Sequence, residues 1–560
     1  DASSSDTTWL LYDMHVIKLG SNPTIPKGST GNKSYTANWL TTNTLSITKG
    51  TGVSKIYYKV NGASSYTSST SNVSVSVTSG TTYYYYGTPS SGYYMTSCTS
   101  SSPCSGTMGT SAVSKSLGAY ESVYQLYNSS GNSIGYSNNL TNAISSVSSG
   151  GTVKALKNNN SAAVTISKNV TINTNGYTIT MTGTITSGKT TYTIKIPNGY
   201  ALSVKGSGKI YSSLTASYLL RNYGTLKLYD STLQCLSCSD AVIDQDGTFN
   251  MDSGSILGSA NGIRNYYGTA TINGGTINGA SGSGIGMYGG NLHLATGLYG
   301  DPISISGMYY GIVSGGWKTD NVNISISSPR YDSIKIFTTA TVGDNINGAD
   351  PGSSVALFAE AHDSSNSNTV TTNIYGGASF YSYGHGISNG EYNTMTIEGG
   401  EGVYGVIVES RNTTLLNKGT LKLGKDPESI TLDTAISESY VTIANANFDY
   451  SIYNYSGATL NMGGGTYVYD TRDTSSETTD QTKKPIANYG TINLYGGRIY
   501  YNFGKNSAFY NAEKSAEVNQ YVDDKSWWDV NETSSTYTFQ YYNAGSSYSL
   551  RKYSYRKGKS

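Results

Sequence analysis

The sequence predicts an all-β protein whose larger part is a parallel β-helix and whose N-terminal part is a β-sandwich. Three observations predict the helix. A phrase of about twenty residues recurs along the chain, its short runs alternate apolar with small or polar residues, and glycine pairs separate the runs. One copy of such a repeat cannot bury its own apolar face, whereas a stack of copies forms a continuous core.

The repeat is clearest in the middle of the chain. Its copies include LRNYGTLKLYDSTL from Leu219, VIDQDGTFNMDSGSI from Val242 and GIRNYYGTATINGG from Gly262, and the phrase returns from Ile452 and Ile486. The leading apolar residues of four consecutive copies are spaced by 23, 20 and 22 positions: Leu220, Ile243, Ile263 and Ile285. We therefore predict a coil from about residue 151 to residue 509, with about 16 turns of about 22 residues each.

Asparagine recurs where the leading strand of a copy ends, at positions 222, 265, 389, 454 and 488. Asparagine tolerates the left-handed backbone region and therefore fits a tight bend. In the predicted register, Asn222 and Asn265 lie on one line of the coil with Gln245 between them, so these side chains can hydrogen-bond along the stack. The alternative is that the asparagines contact a ligand.

The repeat NYGTATINGGTI and the lead-in from Asn138, NNLTNAISSVSSGGTVKALKNNN, resemble the right-handed parallel β-helices of the pectate-lyase-like superfamily. They are most similar to the helices of large secreted, adhesin-like surface proteins of Gram-positive gut bacteria. The resemblance covers about residues 120–510 and implies a right-handed coil. It is specific for the fold alone, because this shape carries lyases, hydrolases, adhesins and passive stalks alike.

A second unit precedes the coil. Between residues 31 and 119, runs such as TLSITKG, KIYYKVNG and NVSVSVTS alternate with Gly/Ser/Asn turns, which is typical of a β-sandwich. The unit resembles bacterial Ig-like or fibronectin-like modules, with Trp39 and Tyr57 expected in its core. Tyr83 to Tyr86 are expected to form a strand with aromatic rings on both faces.

The chain is thus expected to contain four segments. They are an N-terminal strand segment with a linker, an Ig-like β-sandwich, the parallel β-helix with its capping helix, and a C-terminal cap with a basic tail: residues 1–30, 31–119, 120–510 and 511–560.

The N-terminal segment contains an apolar, strand-like run that has no partner in the repeat. One interpretation is that it forms the first strand of its own sandwich. The other is that it is donated to an unpaired sheet edge of a neighbouring molecule, so that the chain polymerises into fibres. The residues assigned to this assembly strand are Trp9, Leu11, His15, Ile17 and Leu19.

One helix is predicted, near residues 138–148. Its apolar residues lie on a single stripe at helical spacing: Leu140, Ala143, Ile144 and Val147. Ser137 or Asn138 is expected to cap its start, and the glycines at 150 and 151 to end it. A helix at this place closes the N-terminal end of the coil, whose core and unpaired backbone need a cover.

Four cysteines are too few to hold a fold of this size together. Cys98 and Cys104 flank a short loop and suit a local disulfide in an oxidising compartment. Cys235 and Cys238 form a lone C-x-x-C, for which a disulfide or two stacked thiols are the alternatives. Zinc is not expected there, because no further ligands are recognisable nearby.

The strongest candidate for chemistry is a charged line on the coil. Arg221, Asp244 and Arg264 directly follow aligned apolar residues, so they are expected to stack on consecutive turns, with Asp246 and Asp252 close by. A carboxylate that lies between two guanidiniums is more often part of a structural salt-bridge ladder than of an active site. We therefore predict no catalytic residues, with a polysaccharide lyase or hydrolase as the competing hypothesis.

Two further sites are candidates. Residues 343–350 resemble an acidic calcium loop with Asp344 and Asp350, although the later glutamate of that pattern is missing. Near the C-terminus, paired tryptophans beside carboxylates suit sugar stacking, while the alternative is that the indoles close the end of the coil. This ligand-binding group comprises Trp527, Trp528, Asp523, Asp524 and Asp529.

The composition restricts the function classes. Charged residues make up 13% of the 560 residues and the net charge is +1, which argues against nucleic-acid binding. No apolar run is long enough to span a bilayer, and the 52 tyrosines and 66 glycines are typical of a β-rich extracellular surface. We expect an extracellular bacterial surface adhesin or structural rod whose partner is a glycan, a host protein or a neighbouring cell's protein.

Overall fold

The computed structural model describes residues 41–315, 321–341, 353–360, 369–399, 405–425, 440–445, 450–470, 485–500, 509–511 and 516–522, and the strands Trp527–Asn531, Thr536–Gln540 and Arg551–Tyr555. Strands dominate, and the one helix in these residues is Leu140–Ser146, so the all-β prediction is confirmed. The described chain divides into two compact units, residues 41–88 with 97–117, and residues 89–96 with 118–555.

The smaller unit contains two small sheets. The three-stranded sheet has the order Val73–Thr78, Thr42–Lys49, Val113–Leu117, and the four-stranded sheet has the order Thr67–Ser69, Val53–Lys59, Thr82–Pro89, Cys104–Thr107. Its buried side chains come from both sheets and include Leu45, Ile47, Ile56, Val77 and Tyr83. The Ig-like assignment of this unit stays a prediction.

The tyrosines of this unit follow the expected alternation with one correction. Tyr83 and Tyr85 are buried while Tyr84 is 38% exposed, so the strand carries rings on both faces as predicted. Tyr57 is half-buried and stacks on Tyr86 with ring centroids 4.7 Å apart, so its predicted place in the core is wrong. The neighbouring Ile56 is fully buried, and alternation along a strand then directs Tyr57 to the other face. Trp39 lies outside the described residues.

The larger unit is a coil built from three long sheets, which confirms the parallel β-helix. Sheet 1 contains seventeen strands: Tyr124–Tyr127, Ser133–Ser137, Gly151–Ala155, Val170–Asn173, Ala201–Lys205, Thr225–Leu228, Thr248–Met251, Thr269–Ile272, Gly290–Ala295, Val322–Ser327, Val370–Tyr375, Thr394–Glu398, Thr420–Leu423, Thr459–Met462, Thr491–Leu494, Glu517–Val522 and Arg551–Tyr555.

Sheet 2 contains fifteen strands: Asn159–Ser161, Thr178–Met181, Lys209–Ser212, Thr232–Cys235, Ser255–Gly258, Gly275–Gly279, Ile303–Gly307, Ile334–Thr338, Ala378–Ser382, Val406–Ser410, Val441–Asn445, Thr466–Asp470, Gly497–Tyr500, Thr536–Gln540 and Trp527–Asn531.

Sheet 3 contains fourteen strands: Val164–Thr165, Ile185–Ser187, Thr190–Ile196, Ala216–Asn222, Cys238–Gln245, Asn261–Asn265, Ser283–Met287, Tyr310–Gly315, Val355–Glu360, His385–Asn389, Leu415–Asn417, Ile452–Asn454, Ile486–Asn488 and Phe509–Asn511. A short antiparallel pair, Tyr93–Tyr94 with Tyr120–Glu121, belongs to the same unit.

Each turn of the coil passes through the three sheets in the order 1, 2, 3. From Gly151–Ala155 to Glu517–Val522, fourteen described strands of sheet 1 pair in parallel, which makes thirteen turns between the first and the last. The sequence predicted about 16 turns, because it assumed a constant period of about 22 residues, so the described coil has fewer turns than predicted. The difference arises because insertions lengthen several turns, as between Val322 and Val370, which are paired on consecutive turns.

The inside of the coil is one continuous apolar cluster from Val123 to Val518. Its alternating side chains are those that the repeat predicted, and Leu220, Ile243 and Ile263 have no exposed surface. Stacking therefore buries the apolar face that one repeat alone would leave exposed, because each turn covers the apolar face of the next.

The two ends of the coil are closed differently. At the N-terminal end, Leu140, Ala143 and Ile144 of the helix are buried in the cluster, and Tyr124–Tyr127 pairs antiparallel with Gly151–Ala155. The helix is capped by Asn139, whose side chain accepts a hydrogen bond from the Asn142 amide at 2.8 Å, so the predicted caps at 137 and 138 are wrong by one or two residues. At the C-terminal end, antiparallel strands are added to sheets 1 and 2.

Asparagine side chains form a hydrogen-bonded ladder inside the coil. Asn389 donates to Asn417 at 2.8 Å, Asn417 to Asn454 at 2.7 Å, and Asn454 to Asn488 at 2.8 Å, and all four are fully buried. In the earlier turns Asn222 donates to Gln245 at 2.7 Å, as the register predicted. The ladder satisfies polar groups that burial would otherwise leave without partners.

Candidate functional site

The candidate site begins with the register of sheet 3. Leu220, Ile243, Ile263 and Ile285 pair in succession on neighbouring turns, as the repeat spacing predicted. The residues that follow them, Arg221, Asp244 and Arg264, are therefore stacked on three consecutive turns of the coil.

The ion pairs on this line differ from the predicted ladder. Arg221 Nε lies 3.0 Å from Asp244 Oδ2, but Arg264 Nη1 lies 3.0 Å from Asp240 Oδ1 instead. Arg264 Nη2 also donates to the Tyr288 hydroxyl at 3.3 Å. Arg264 therefore pairs with Asp240 and Tyr288, and among the described residues Asp244 forms one ion pair, with Arg221.

Aromatic rings enclose both guanidiniums. The Arg221 Cζ atom lies 5.0 Å from the centroid of the Tyr223 ring and 5.9 Å from the centroid of the Tyr192 ring. Arg264 lies 5.0 Å from the Tyr288 centroid and 5.6 Å from the Tyr266 centroid, and these two rings stack at 5.1 Å. Cation–π contacts of this kind fix the orientation of the arginines on the surface of the coil.

Asp244 is an unusual carboxylate. It is only 2% exposed, and its Oδ1 atom accepts no hydrogen bond. Burial raises the pKa of Asp244 to about 6, and the nearby Arg221 guanidinium opposes this rise without cancelling it. The burial of Asp244 suits a structural role, and its raised pKa means that the carboxyl group titrates in mildly acidic solution.

This shift predicts a pH dependence of stability. Because the pKa of Asp244 is higher in the folded chain than its ordinary value of 3.8, the folded chain keeps a proton that the unfolded chain releases between about pH 4 and pH 6. The free energy of unfolding is therefore expected to fall as the pH rises through this window, by about 2 kcal/mol from this group.

The Asp244→Asn variant isolates this contribution. Urea unfolding between pH 4 and pH 7 is expected to show a smaller fall with rising pH in the variant than in the parent chain. Asp252→Asn, which makes the same change at an exposed position, is the matched control and should follow the parent. Identical pH profiles for parent and Asp244→Asn would contradict the raised pKa.

A groove lies beside this charged line, at the corner where sheet 3 ends and sheet 1 begins. We call it the corner groove, and its volume is about 770 Å³. Five consecutive turns contribute to it, with these lining residues: Asn169, Asn198, Gly199, Tyr200, Ala201, Tyr223, Gly224, Thr225, Asp246, Gly247, Thr248, Tyr267, Gly268 and Thr269. At about 4.8 Å per turn, the five turns span about 19 Å.

Glycines of three consecutive turns are among the lining residues of the corner groove: Gly224, Gly247 and Gly268. A Cβ atom on Gly247 would lie 2.1 Å from the Gly224 carbonyl oxygen, and one on Gly268 would lie 2.2 Å from the Gly247 carbonyl oxygen. Consecutive turns approach so closely here that only glycine fits. The Gly224 and Gly247 carbonyl oxygens accept hydrogen bonds from the Thr248 and Thr269 amides of the next turns, at 2.8 and 3.0 Å.

The walls of the corner groove combine aromatic rings with hydroxyl groups. Tyr200 is 39% exposed and Tyr267 is 50% exposed, while threonines line the sheet 1 side. Asp246 is the single charged residue among the lining residues, and no lysine or arginine is among them. Such a lining suits a neutral, hydroxyl-rich ligand that stacks on rings and hydrogen-bonds to the walls.

Sequence reasoning missed the corner groove, although a signal for it exists. The repeat places an aromatic or acidic residue directly before each Gly-Thr pair, as in Tyr223-Gly224-Thr225, Asp246-Gly247-Thr248 and Tyr267-Gly268-Thr269. Since those glycines form one line along the corner, the preceding side chains are aligned as well.

The other sequence-predicted residues have different outcomes. Cys98 and Cys104 form one disulfide, and Cys235 and Cys238 form another. Trp527–Asn531 is a strand antiparallel to Thr536–Gln540 at the end of sheet 2. The remaining candidates lie outside the described residues: Asp523, Asp524, the assembly strand Trp9, Leu11, His15, Ile17 and Leu19, and the calcium candidates Asp344 and Asp350.

Within the part of the chain that the structure describes, no group of three histidine, cysteine or acidic side chains is arranged to hold a metal ion. In the same residues, no helix has the length and apolar character needed to cross a membrane.

Comparison with known proteins gives no match: no protein-family model, no curated protein and no solved structure matches the chain.

Proposed function

We propose that this chain is an extracellular surface protein of bacterial origin, that it serves as an adhesin or structural rod, and that its corner groove binds a neutral polysaccharide. The observation that carries the proposal is the groove itself, which is lined by tyrosines, threonines and glycines and has no basic side chain among its lining residues. Both cysteine pairs are disulfide-bonded, which supports an oxidising compartment outside the cell.

The shape of the corner groove favours a polymer over a small molecule. Five consecutive turns of the coil line it. Tyrosine rings stack on the apolar faces of sugars, and tyrosine and threonine hydroxyls can hydrogen-bond to sugar hydroxyls. A regularly repeating groove therefore suits a regularly repeating ligand.

We propose that the chain binds without catalysis. Asp244, the carboxylate with the raised pKa, is enclosed by its own strands and lies 3.0 Å from Arg221 Nε. A general acid or base must reach a substrate proton, and this burial favours a structural role. The alternative function is a polysaccharide lyase or hydrolase that works along the coil.

Fibre formation by donation of the N-terminal strand belongs to the same proposal. A stiff coil that polymerises would present many corner grooves along one fibre, and linked weak sites bind more tightly than single ones.

Binding by the corner groove is tested on a glycan array, followed by calorimetry with the best neutral polysaccharide. Tyr200→Ala and Tyr267→Ala are each expected to weaken binding by about tenfold, because each removes an exposed ring from the groove. Tyr299→Ala is the matched control, since Tyr299 is 99% exposed and lies outside the groove.

The control should bind like the parent chain. Equal binding by all three variants, or no neutral glycan bound by the parent chain, would contradict the assignment of the corner groove.

A further inference from the structure

The four-stranded sheet of the smaller unit carries a cluster of tyrosines that the corner groove does not involve. Tyr57 and Tyr86 stack nearly parallel, with centroids 4.7 Å apart and planes 6° apart, and Tyr66 meets Tyr86 edge-on at 4.9 Å. The Lys59 ammonium lies 5.3 Å from the Tyr66 ring centroid and 5.0 Å from that of Tyr84. We call these five residues the tyrosine–lysine face.

This face is accessible and not part of the core. Tyr84 is 38% exposed, while the alternate residues Tyr83 and Tyr85 of the same strand are buried on the opposite side. Strand alternation thus divides the four consecutive tyrosines into two buried rings, Tyr83 and Tyr85, and two rings on the other side of the strand, Tyr84 and Tyr86. Tyrosine supplies large contact area at low entropic cost, which is why it is frequent at binding surfaces.

The charge around the face has one sign. Residues 41–117 contain four lysines, at 49, 55, 59 and 115, and contain no aspartate, glutamate or arginine. The acid-free stretch is longer still, because no acidic residue occurs between Asp13 and Glu121. Lys59 therefore has no carboxylate partner among residues 41–117, and its ammonium lies near the Tyr66 and Tyr84 rings.

We infer that the tyrosine–lysine face binds an acidic polysaccharide, one whose sugar rings stack on the tyrosines and whose carboxylate pairs with Lys59. The rings fit the apolar faces of sugars, and the local excess of positive charge complements a polyanion and attracts it. A neutral ligand would leave the lysine without a partner. This inference adds a second ligand class to the proposed function and places it on a different unit of the chain.

Alginate, a polymer of uronic acids, is a suitable probe, with carboxyl-reduced alginate as its neutral counterpart. Binding to the full chain is measured by affinity electrophoresis and calorimetry. Lys59→Gln and Tyr84→Ala are each expected to weaken binding to alginate by about fivefold, whereas the parent should bind the reduced polymer more weakly than alginate. Thermal unfolding of each variant establishes that it is folded.

Two controls make the result specific. Lys49→Gln removes the same charge from the three-stranded sheet and should bind alginate like the parent, which separates the face from a general charge effect. Tyr267→Ala, in the corner groove, should also bind alginate like the parent. Failure of the neutral-glycan test and failure of this one are therefore distinguishable.

Three outcomes would overturn the inference. The first is an absence of alginate binding by the parent chain. The second is an equal loss in Lys49→Gln and Lys59→Gln. The third is binding of a DNA oligonucleotide as tight as that of alginate with the same dependence on Tyr84, which would identify a general polyanion surface.

Discussion

Replacing Asn417 with alanine is expected to lower the free energy of unfolding by about 3 kcal/mol, because several buried polar groups would lose their partners at once. The Asn417 amide accepts from Asn389 at 2.8 Å and donates to Asn454 Oδ1 at 2.7 Å and to the Thr459 carbonyl oxygen at 3.1 Å. Asn417 has no exposed surface, so water cannot replace these bonds.

The matched control is Asn493→Ala, on the outer side of the coil. Asn493 also belongs to an asparagine ladder, since it donates to Asn461 at 2.8 Å and accepts from Asn519 at 3.0 Å. Asn493 is only partly buried, so water can take over its bond to Asn461, while the buried Asn519 loses one acceptor. The loss should therefore be about 1 kcal/mol. Urea unfolding followed by circular dichroism compares the two variants, and equal midpoints would show that burial does not distinguish the ladders.

Replacing Gly247 with alanine is expected to destabilise the coil by about 3 kcal/mol or more. The new Cβ would lie 2.1 Å from the Gly224 carbonyl oxygen and 2.7 Å from the Tyr223 carbonyl carbon. Both are backbone atoms, so no side chain can move aside, and the two turns must separate. The hydrogen bond from the Thr248 amide to the same Gly224 oxygen, 2.8 Å long, would lengthen as they do.

Gly315→Ala is the matched control for this change. A Cβ at Gly315 meets no atom of the described residues within 4 Å, so alanine there should leave stability unchanged or slightly raised. Thermal unfolding of both variants decides the question. A Gly247→Ala variant as stable as Gly315→Ala would mean that the turns are not held at the distance that the structure shows.

The coil could be predicted because the repeat is marked by apolar residues that all have the same role, which is to fill the core. Leu220, Ile243 and Ile263 must be buried, and their spacing alone determines which residues are neighbours on consecutive turns. The partner of Asn222 followed from the same register. Handedness and the Ig-like assignment of the smaller unit depend on the family resemblance and stay predictions.

The repeat spacing could not predict which partner a long side chain contacts, nor where the surface of the coil forms a groove. The register places Arg264 beside Asp244, yet its guanidinium extends to Asp240 and Tyr288, since a long flexible side chain selects among several partners. The corner groove lies where glycines allow consecutive turns to pack closely. That packing is a property of the folded coil, so the depth of the groove cannot be read from the sequence. The tyrosine–lysine face depends on which side of the strand Tyr57 occupies, which Ile56 decides by taking the core position.

We propose that the coil binds a neutral polysaccharide in its corner groove without cleaving it. The most direct test incubates the full chain with the neutral polysaccharide that it binds best, with and without calcium, and follows both retention and polymer length. Our account predicts that the polysaccharide is retained and keeps its length under both conditions, and that Tyr267→Ala reduces retention. Shortening of the polymer that disappears in Asp244→Ala would contradict it and identify an enzyme.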